Sequence, residues 1–337
     1  MTADTRQAAR MRDVAERAGV SPMTVSRVLN APGKVSADVR RRVEDAMRAV
    51  GYVPNRLAGS LSSQRSRVIG LIVPSLENSI YAPTIQSMSE VLRANGYQLM
   101  VADCGYSYED EEALVTALLA QRVAGLMLHN THHTEATRTM LRRAGVPVVE
   151  TGTLAEAPID SVVSYSNRQA ARAMTLHLHG RGYRRIAFVS LPEDGNDRSL
   201  DRRRGYLDAL AEAGLAVDPA LMLEMPPGFA SGAEAVVRLV DGAIPPDAIF
   251  FAGDVLAIGA MLECQRRGWP VPGKVAIAAF DNFELLRHLN PPVTTLRLPR
   301  TEIGRRAAEV LLGRIRGSST GAVTIDLGFE IIQRGSS

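Results

Sequence analysis

Over the first sixty residues apolar positions recur every three to four places; beyond them they gather into solid runs, and that change of period divides the chain. Val14, Ala15 and Ala18 share one helical face, and Gly19 stands where a helix ends in the left-handed conformation that glycine adopts cheaply. Ser21 can cap a second helix, Pro22 suits its first position because no amide hydrogen is needed there, and Val25, Val28 and Leu29 give it an apolar face. Ser36 opens a third helix, with Val39, Val43, Met47 and Val50 spaced near every fourth residue before Gly51 ends it. Pro54 blocks continuation, and Asn55 can cap a fourth helix over 55–62, only about two turns and too short to be stable alone.

A polar linker, 62–67, precedes the wholly apolar run Val68 to Val73, the pattern of a buried strand. Strand-like runs then follow at Gln98 to Ala102, Ala124 to Leu128, Pro147 to Glu150, Ile186 to Ser190, Ile249 to Ala252 and Val275 to Phe280. Amphipathic stretches separate them, among them Tyr81 to Ala94, Glu109 to Gln121, Asn167 to Gly180, Arg203 to Ala213 and Asp254 to Arg267. Alternation of this kind predicts an α/β body of two parallel-sheet subdomains with helices on both faces. A break near Asp160 to Asn167 divides the subdomains, and the Pro291, Pro292 stretch suggests a return crossing before a last helix, Glu302 to Arg316. The expected layout is a disordered start, 1–10; a helix-turn-helix headpiece, 11–62; and a body, 68–337, whose first subdomain takes 68–163 with 294–321 and whose second takes 164–291 with 324–337. Ligands of such sheets bind at the carboxyl ends of the strands, so the cleft between the subdomains is the expected site.

Charge sharpens the division. Residues 1–67 carry 13 Lys and Arg against 6 Asp and Glu, while the remainder carries 26 against 30. A basic head on an acidic body suits a module that contacts phosphates, attached to a regulatory domain. On the second helix Ser21, Pro22, Met23, Thr24, Arg27 and Asn30 lie off the apolar face, near the end that enters a major groove in a helix-turn-helix. Arg27 can give a guanine edge a forked pair of hydrogen bonds; Pro22 and Met23 offer only shape and apolar contact with thymine methyls. Taken alone, the turn pattern also fits a plain helical hairpin.

Together, V-A-x-x-A-G-V-S-x-x-T-V-S-R-V-L-N and G-Y-x-P-N make residues 11–62 resemble the headpiece and hinge of the LacI family of bacterial transcriptional repressors. That resemblance places Pro22, Met23 and Arg27 at base-reading positions and Leu61 at the hinge leucine that wedges into the minor groove, with Asn55 opening the hinge. It continues through the body, which looks like the family's periplasmic-binding-protein-like effector domain, in I-A-F-V-S, in Arg202 to Tyr206, in Ala252 to Asp254, and in Phe280 to Asn282 followed by P-P-V-T-T. The resemblance makes Arg202 the effector-binding arginine and Asp281 the aspartate that holds ligand hydroxyls, although an arginine-rich run and a loop cap explain them too. Ser75 and Asp254 sit just after strands, where ligand contact and helix capping serve equally well as explanations. The second helix and E-C-Q-R-R-G-W-P-V-P are most similar to gluconate or ketogluconate repressors, which implies a sugar or sugar-acid effector.

Other chemistries fit poorly. Gly268 to Lys274 has phosphate-loop spacing, but Val275 replaces the needed Ser or Thr; Gly317 to Gly321 matches a serine elbow with no histidine after it. His129, His132 and His133 lack metal-ligand spacing and are expected in a polar loop, so no metal, cofactor or catalytic residue is expected. The opening residues lack the apolar core of a signal peptide, no run reaches bilayer length, and Cys104 and Cys264 are expected as free buried thiols, all pointing to a cytoplasmic protein without membrane contact. The expected partners are pseudo-palindromic operator DNA, a small effector and a second copy in a homodimer; without a heptad-bearing tail, tetramers are not expected. The competing class is a solute-binding protein or sugar-processing enzyme built on the same body.

Overall fold

The computed structural model describes residues 9–53, 66–155, 157–319 and 321–337, and the chain forms two compact units divided after Ser66. Most of the expected disordered start, and the hinge helix with Asn55 and Leu61, lie outside the described residues. Arg10, expected in the disordered start, precedes the first helix directly, and its amide donates to Asp13 Oδ2 at 2.7 Å.

In the first unit α1 (Met11–Ala18), α2 (Pro22–Asn30) and α3 (Ala37–Val50) close on one core of Val14, Ala15, Ala18, Val25, Val28, Val43 and Ala46. Gly19, at φ +62°, ends α1: its amide reaches Glu16 O and that of Val20 reaches Ala15 O, so two carbonyls the helix leaves open are satisfied. Arg42 of α3 adds a guanidinium to Ala18 O at 2.5 Å, fixing the end of α1 against α3. Helices this short are marginal alone, and the shared core stabilises all three.

The second unit holds two sheets. The first runs β11-β5-β4-β3-β1-β2, all parallel, from β1 (Val68–Val73), β2 (Gln98–Asp103), β3 (Gly125–Leu128), β4 (Val148–Glu150), β5 (Ser161–Ser164) and β11 (Thr324–Asp326). The second runs β12-β10-β9-β8-β6-β7, from β6 (Ile186–Ser190), β7 (Met222–Glu224), β8 (Ala248–Phe251), β9 (Ala276–Ala279), β10 (Thr294–Arg297) and β12 (Glu330–Ile332), with only β12 antiparallel. Between the strands lie α4 (Ala82–Ala94), α5 (Tyr108–Ala120), α6 (Glu135–Ala144), α7 (Asn167–Gly180), α8 (Asp197–Glu212), α9 (Phe229–Val240), α10 (Asp254–Arg267) and α11 (Arg300–Ile315). Buried side chains cover both faces of each sheet, which is why the strands read as continuous apolar runs. Gly205 lets α8 approach α7: a Cβ there would lie 2.0 Å from Arg168 O.

Each sheet reverses its strand order beside its first strand, β1 in one and β6 in the other, and ligand crevices form at such points. The chain crosses between the sheets after β5, β10 and β11. This corrects the expected boundaries near the C-terminal crossings. Thr294–Arg297 pairs with β9 and β12 in the second sheet, and Thr324–Asp326 pairs with β5 in the first. The crossing comes at Pro299 rather than at Pro291 and Pro292, because Pro299 has no amide hydrogen to extend β10 and its ring favours the helix that starts at Arg300.

Candidate functional site

The first candidate surface is the opening of α2. Ser21 Oγ accepts from Thr24 N at 3.2 Å and lies 3.0 Å from Thr24 Oγ1, so these two side chains occupy one another at the cap. Pro22, Met23 and Arg27 are exposed; Met23, at 70%, is far more exposed than packing requires, and Arg27 lies one turn further along the same face. The arginines of α3 differ: Arg40, Arg41 and Arg48 each pair with a carboxylate on their own helix, while Arg27 has no carboxylate partner among the described residues. Asn30 closes α2.

The second candidate is the cleft between the sheets, where Ser75, Arg202, Asp254 and Asp281 line one cavity of about 350 Å³. Each comes from the carboxyl end of a strand or the helix after it. Ser75 follows β1, and its Oγ accepts from Glu77 N at 3.2 Å. Asp254 opens α10 after β8; burial, and then the charge of Asp281, push its carboxyl up to about 7. Asp281 follows β9 at φ +69°, a conformation a non-glycine residue holds only when its surroundings enforce it. The enforcement is visible: Thr295 Oγ1 donates to its carbonyl, and Arg300 donates to its Oδ1 from Nε at 2.9 Å and again from Nη2. Arg202 donates from Nε to Asn167 Oδ1 at 2.8 Å and from Nη1 to Ala252 O at 2.7 Å, and its guanidinium lies 3.7 Å from the centre of the Phe280 ring. It has no ion-pair partner among the described residues and lines the cavity together with Asp254 and Asp281.

Helix α8 also clasps the far wall. Asp197 Oδ2 accepts from Thr131 N and Thr131 Oγ1, both at 2.9 Å, and from His132 N at 3.3 Å. Arg198 Nη1 donates to His129 O at 3.2 Å and to Asn130 Oδ1 and Asp197 Oδ1, both at 2.9 Å. With Arg300 to Asp281, these contacts join the subdomains on two sides of the cleft. The sequence pattern missed the first six residues of α8, since Asp197, Arg198, Ser199 and Arg202 form its buried side in place of an apolar stripe. Arg300 carried no signal beyond its place after Pro299.

The three histidines lie in the polar loop after β3, and two of their side chains are enclosed there. His129 is buried, with Nδ1 3.0 Å from Thr151 Oγ1, and only His132 is exposed. The His133 side chain is enclosed, with Nδ1 2.5 Å from Glu111 Oε1 and Nε2 3.1 Å from Glu150 Oε1. Burial pulls its imidazole down, but the two carboxylates outweigh burial and push it up to about 9. Asn130 donates to Glu111 Oε2 at 2.8 Å and accepts from Arg198, linking this cluster to the cleft.

Residues 10–55 match the family described as bacterial regulatory proteins, lacI family, and residues 175–337 match a periplasmic binding protein-like domain. Over 327 residues the chain is 38% identical to the HTH-type transcriptional regulator GntR of Escherichia coli (strain K12), an alignment covering 97% of this chain and 98% of that protein. Its structure is similar to that of a LacI-family transcriptional regulator from Silicibacter pomeroyi, with a TM-score of 0.92 and 33% identity across 97% of this chain and 99% of that one. It is also similar to the Lac repressor dimer bound to operator and the anti-inducer ONPF, with a TM-score of 0.82 and 26% identity across 98% and 99% of the two chains.

Proposed function

Because the chain belongs to the lacI family of bacterial regulatory proteins and is a DNA-binding transcriptional regulator rather than an enzyme, we propose that a small polyhydroxy acid of the gluconate kind controls its operator binding from the cleft. One observation carries this: Arg202, without an ion pair among the described residues, lines a cavity whose polar walls include Ser75, Asp254 and Asp281. A carboxylate is the acceptor that suits a guanidinium, and ligand hydroxyls suit the aspartates, Asp281 with Oδ2 left over from its bond to Arg300 and Asp254 with a carboxyl that can donate or accept.

On the DNA side, Arg27 reads a base edge by hydrogen bonds, Pro22 and Met23 read shape and thymine methyls, and Ser21, Thr24 and Asn30 complete the contact surface of α2. The hinge from Asn55, with Leu61 as its wedge, lies outside the described residues and is carried by the sequence resemblance. The working species is a cytoplasmic homodimer on a pseudo-palindromic operator, as one headpiece spans only a few base pairs. Control is a population shift: the effector favours one closure of the two subdomains, and only its differential affinity for the two arrangements moves the equilibrium.

Calorimetry with D-gluconate tests the site. Arg202→Ala removes charge-assisted hydrogen bonds worth about 1.5–3 kcal/mol, so affinity drops roughly ten- to a hundredfold, while operator affinity without ligand is unchanged. A folded Arg202→Ala protein that binds gluconate as wild type does places the effector elsewhere.

A further inference from the structure

Beside the 350 Å³ cavity lies a recess of about 20 Å³ that shares Tyr106, Leu191 and Arg202 with it as walls and adds Arg198 and Arg300. Roughly 10–15 Å³ of such space admits a water, so the recess takes a group of carboxylate size and no sugar ring. Three guanidiniums meet there. Asp197 pairs with Arg198 and Asp281 with Arg300, which leaves the charge of Arg202 over. Tyr81, another wall, has its phenol pushed up by burial and stays a neutral donor.

The decisive atom is Arg198 Nη2. Arg198 is 5% exposed, and while Nη1 serves three acceptors, Nη2 is buried without a hydrogen-bond partner among the described residues. A donor left unmade inside a protein bears its full desolvation cost, and such groups have a reason to be there. No acceptor among the described residues reaches it, and a ligand carboxylate is a group that can.

We infer that this recess is the carboxylate pocket of the effector: a polyhydroxy monocarboxylate enters acid group first, its carboxylate bridges Arg198 Nη2 and Arg202, and its hydroxylated chain runs back into the larger cavity toward Asp254 and Asp281. Arg198 is then the residue that selects acids over the corresponding neutral sugars and polyols. Arg198 already holds the clasp at Asn130 and Asp197 through Nη1, so recognition of the acid and closure of the cleft share one side chain. This assignment rests on the proposal that the effector is a sugar acid.

The test compares D-gluconate with D-gluconamide, which replaces the carboxylate by an uncharged amide of the same shape, by calorimetry on the full chain. Wild type prefers the acid by at least roughly tenfold, as expected for hydrogen bonds to a charged group. Arg198→Met, and Arg198→Lys, which keeps a cation beside Asp197 but lacks Nη2, reduce that ratio of affinities to within about threefold, whatever the change in affinity for the amide itself. A wild-type preference below threefold overturns the pocket even if both variants fail to fold, and so does a variant that retains the full preference. If wild type binds neither compound, the sugar-acid proposal itself fails and takes the pocket with it, an outcome distinct from an acid that binds without Arg198.

Discussion

Removing the imidazole of His133 strands two carboxylates in the interior, and the expected loss can be worked out in two ways. In the native protein the side chains of Glu111, His133 and Glu150 are all fully enclosed, each ring nitrogen of His133 faces a carboxylate, and Ile159 N donates to Glu150 Oε2 at 2.6 Å. Breaking a buried ion pair by deleting one partner costs about 3–5 kcal/mol. Linkage gives a similar figure: a histidine raised from 6.5 to about 9 stabilises the folded state by roughly 3 kcal/mol. The sign follows from the direction of the shift. The folded state binds the proton more tightly, so this stabilisation is fully present below pH 6.5 and is lost as pH rises through about 9. His133→Gln therefore lowers unfolding free energy by about 3 kcal/mol at pH 6.5 and reduces the melting temperature by on the order of 10 °C; the gap from wild type closes toward pH 10. Urea unfolding at both pH values, followed through the single tryptophan, Trp269, and by circular dichroism, measures it. Replacing all three residues by glutamine recovers most of the loss, since no buried charge is then unpaired. A gap under 1 kcal/mol at pH 6.5, or one of constant size across the range, refutes a charged His133 at the centre of the cluster.

Three further outcomes follow from the structure. Asp254→Asn flattens the pH profile of unliganded stability: a carboxyl pushed up by burial and by the charge of Asp281 withdraws stability as pH rises past its ordinary range, so the variant is the more stable protein at pH 8, and calorimetric scans showing it less stable there count against the raised carboxyl. Leu61→Ala weakens operator binding roughly tenfold or more in a gel shift, with effector affinity unchanged; binding within about threefold of wild type removes the wedge assignment. Gly205→Ala sets a Cβ 2.0 Å from the backbone oxygen of Arg168, forces α7 and α8 apart, and costs about 1–3 kcal/mol or more in denaturant unfolding; equal stability would mean that the helices are not packed this closely.

The parts that were legible in the sequence are those whose causes are local. Gly19 and Gly51 end helices through their own dihedral angles, Ser21 and Ser36 cap residues three positions on, and the apolar runs of β1, β6 and β8 are complete within six residues. The short strands β10 and β11 lie in the opposite sheets to those expected, because their neighbours are set by crossings and not by composition. The cleft was hardest for a related reason. Asp197 finds its partner Thr131 66 positions away, Arg202 finds Ala252 50 away, and His133 meets Glu111 22 away, so charges that look solvated in one dimension are buried and paired in three.

Net charge misleads in the same way. The chain beyond residue 67 is acidic, with 26 Lys and Arg against 30 Asp and Glu, yet Arg198, Arg202 and Arg300 line one small recess of its cleft. In a low-dielectric crevice the sign of the nearest charges outweighs the sum over a distant surface, since exposed charges are screened within about 8–10 Å and enclosed ones much less. An acidic exterior therefore leaves phosphate binding to the basic headpiece, while a small anion that reaches the cleft meets a positive field. A body of this kind can repel one polyanion, DNA, and still admit a small carboxylate, which is the combination the proposed sugar-acid effector requires.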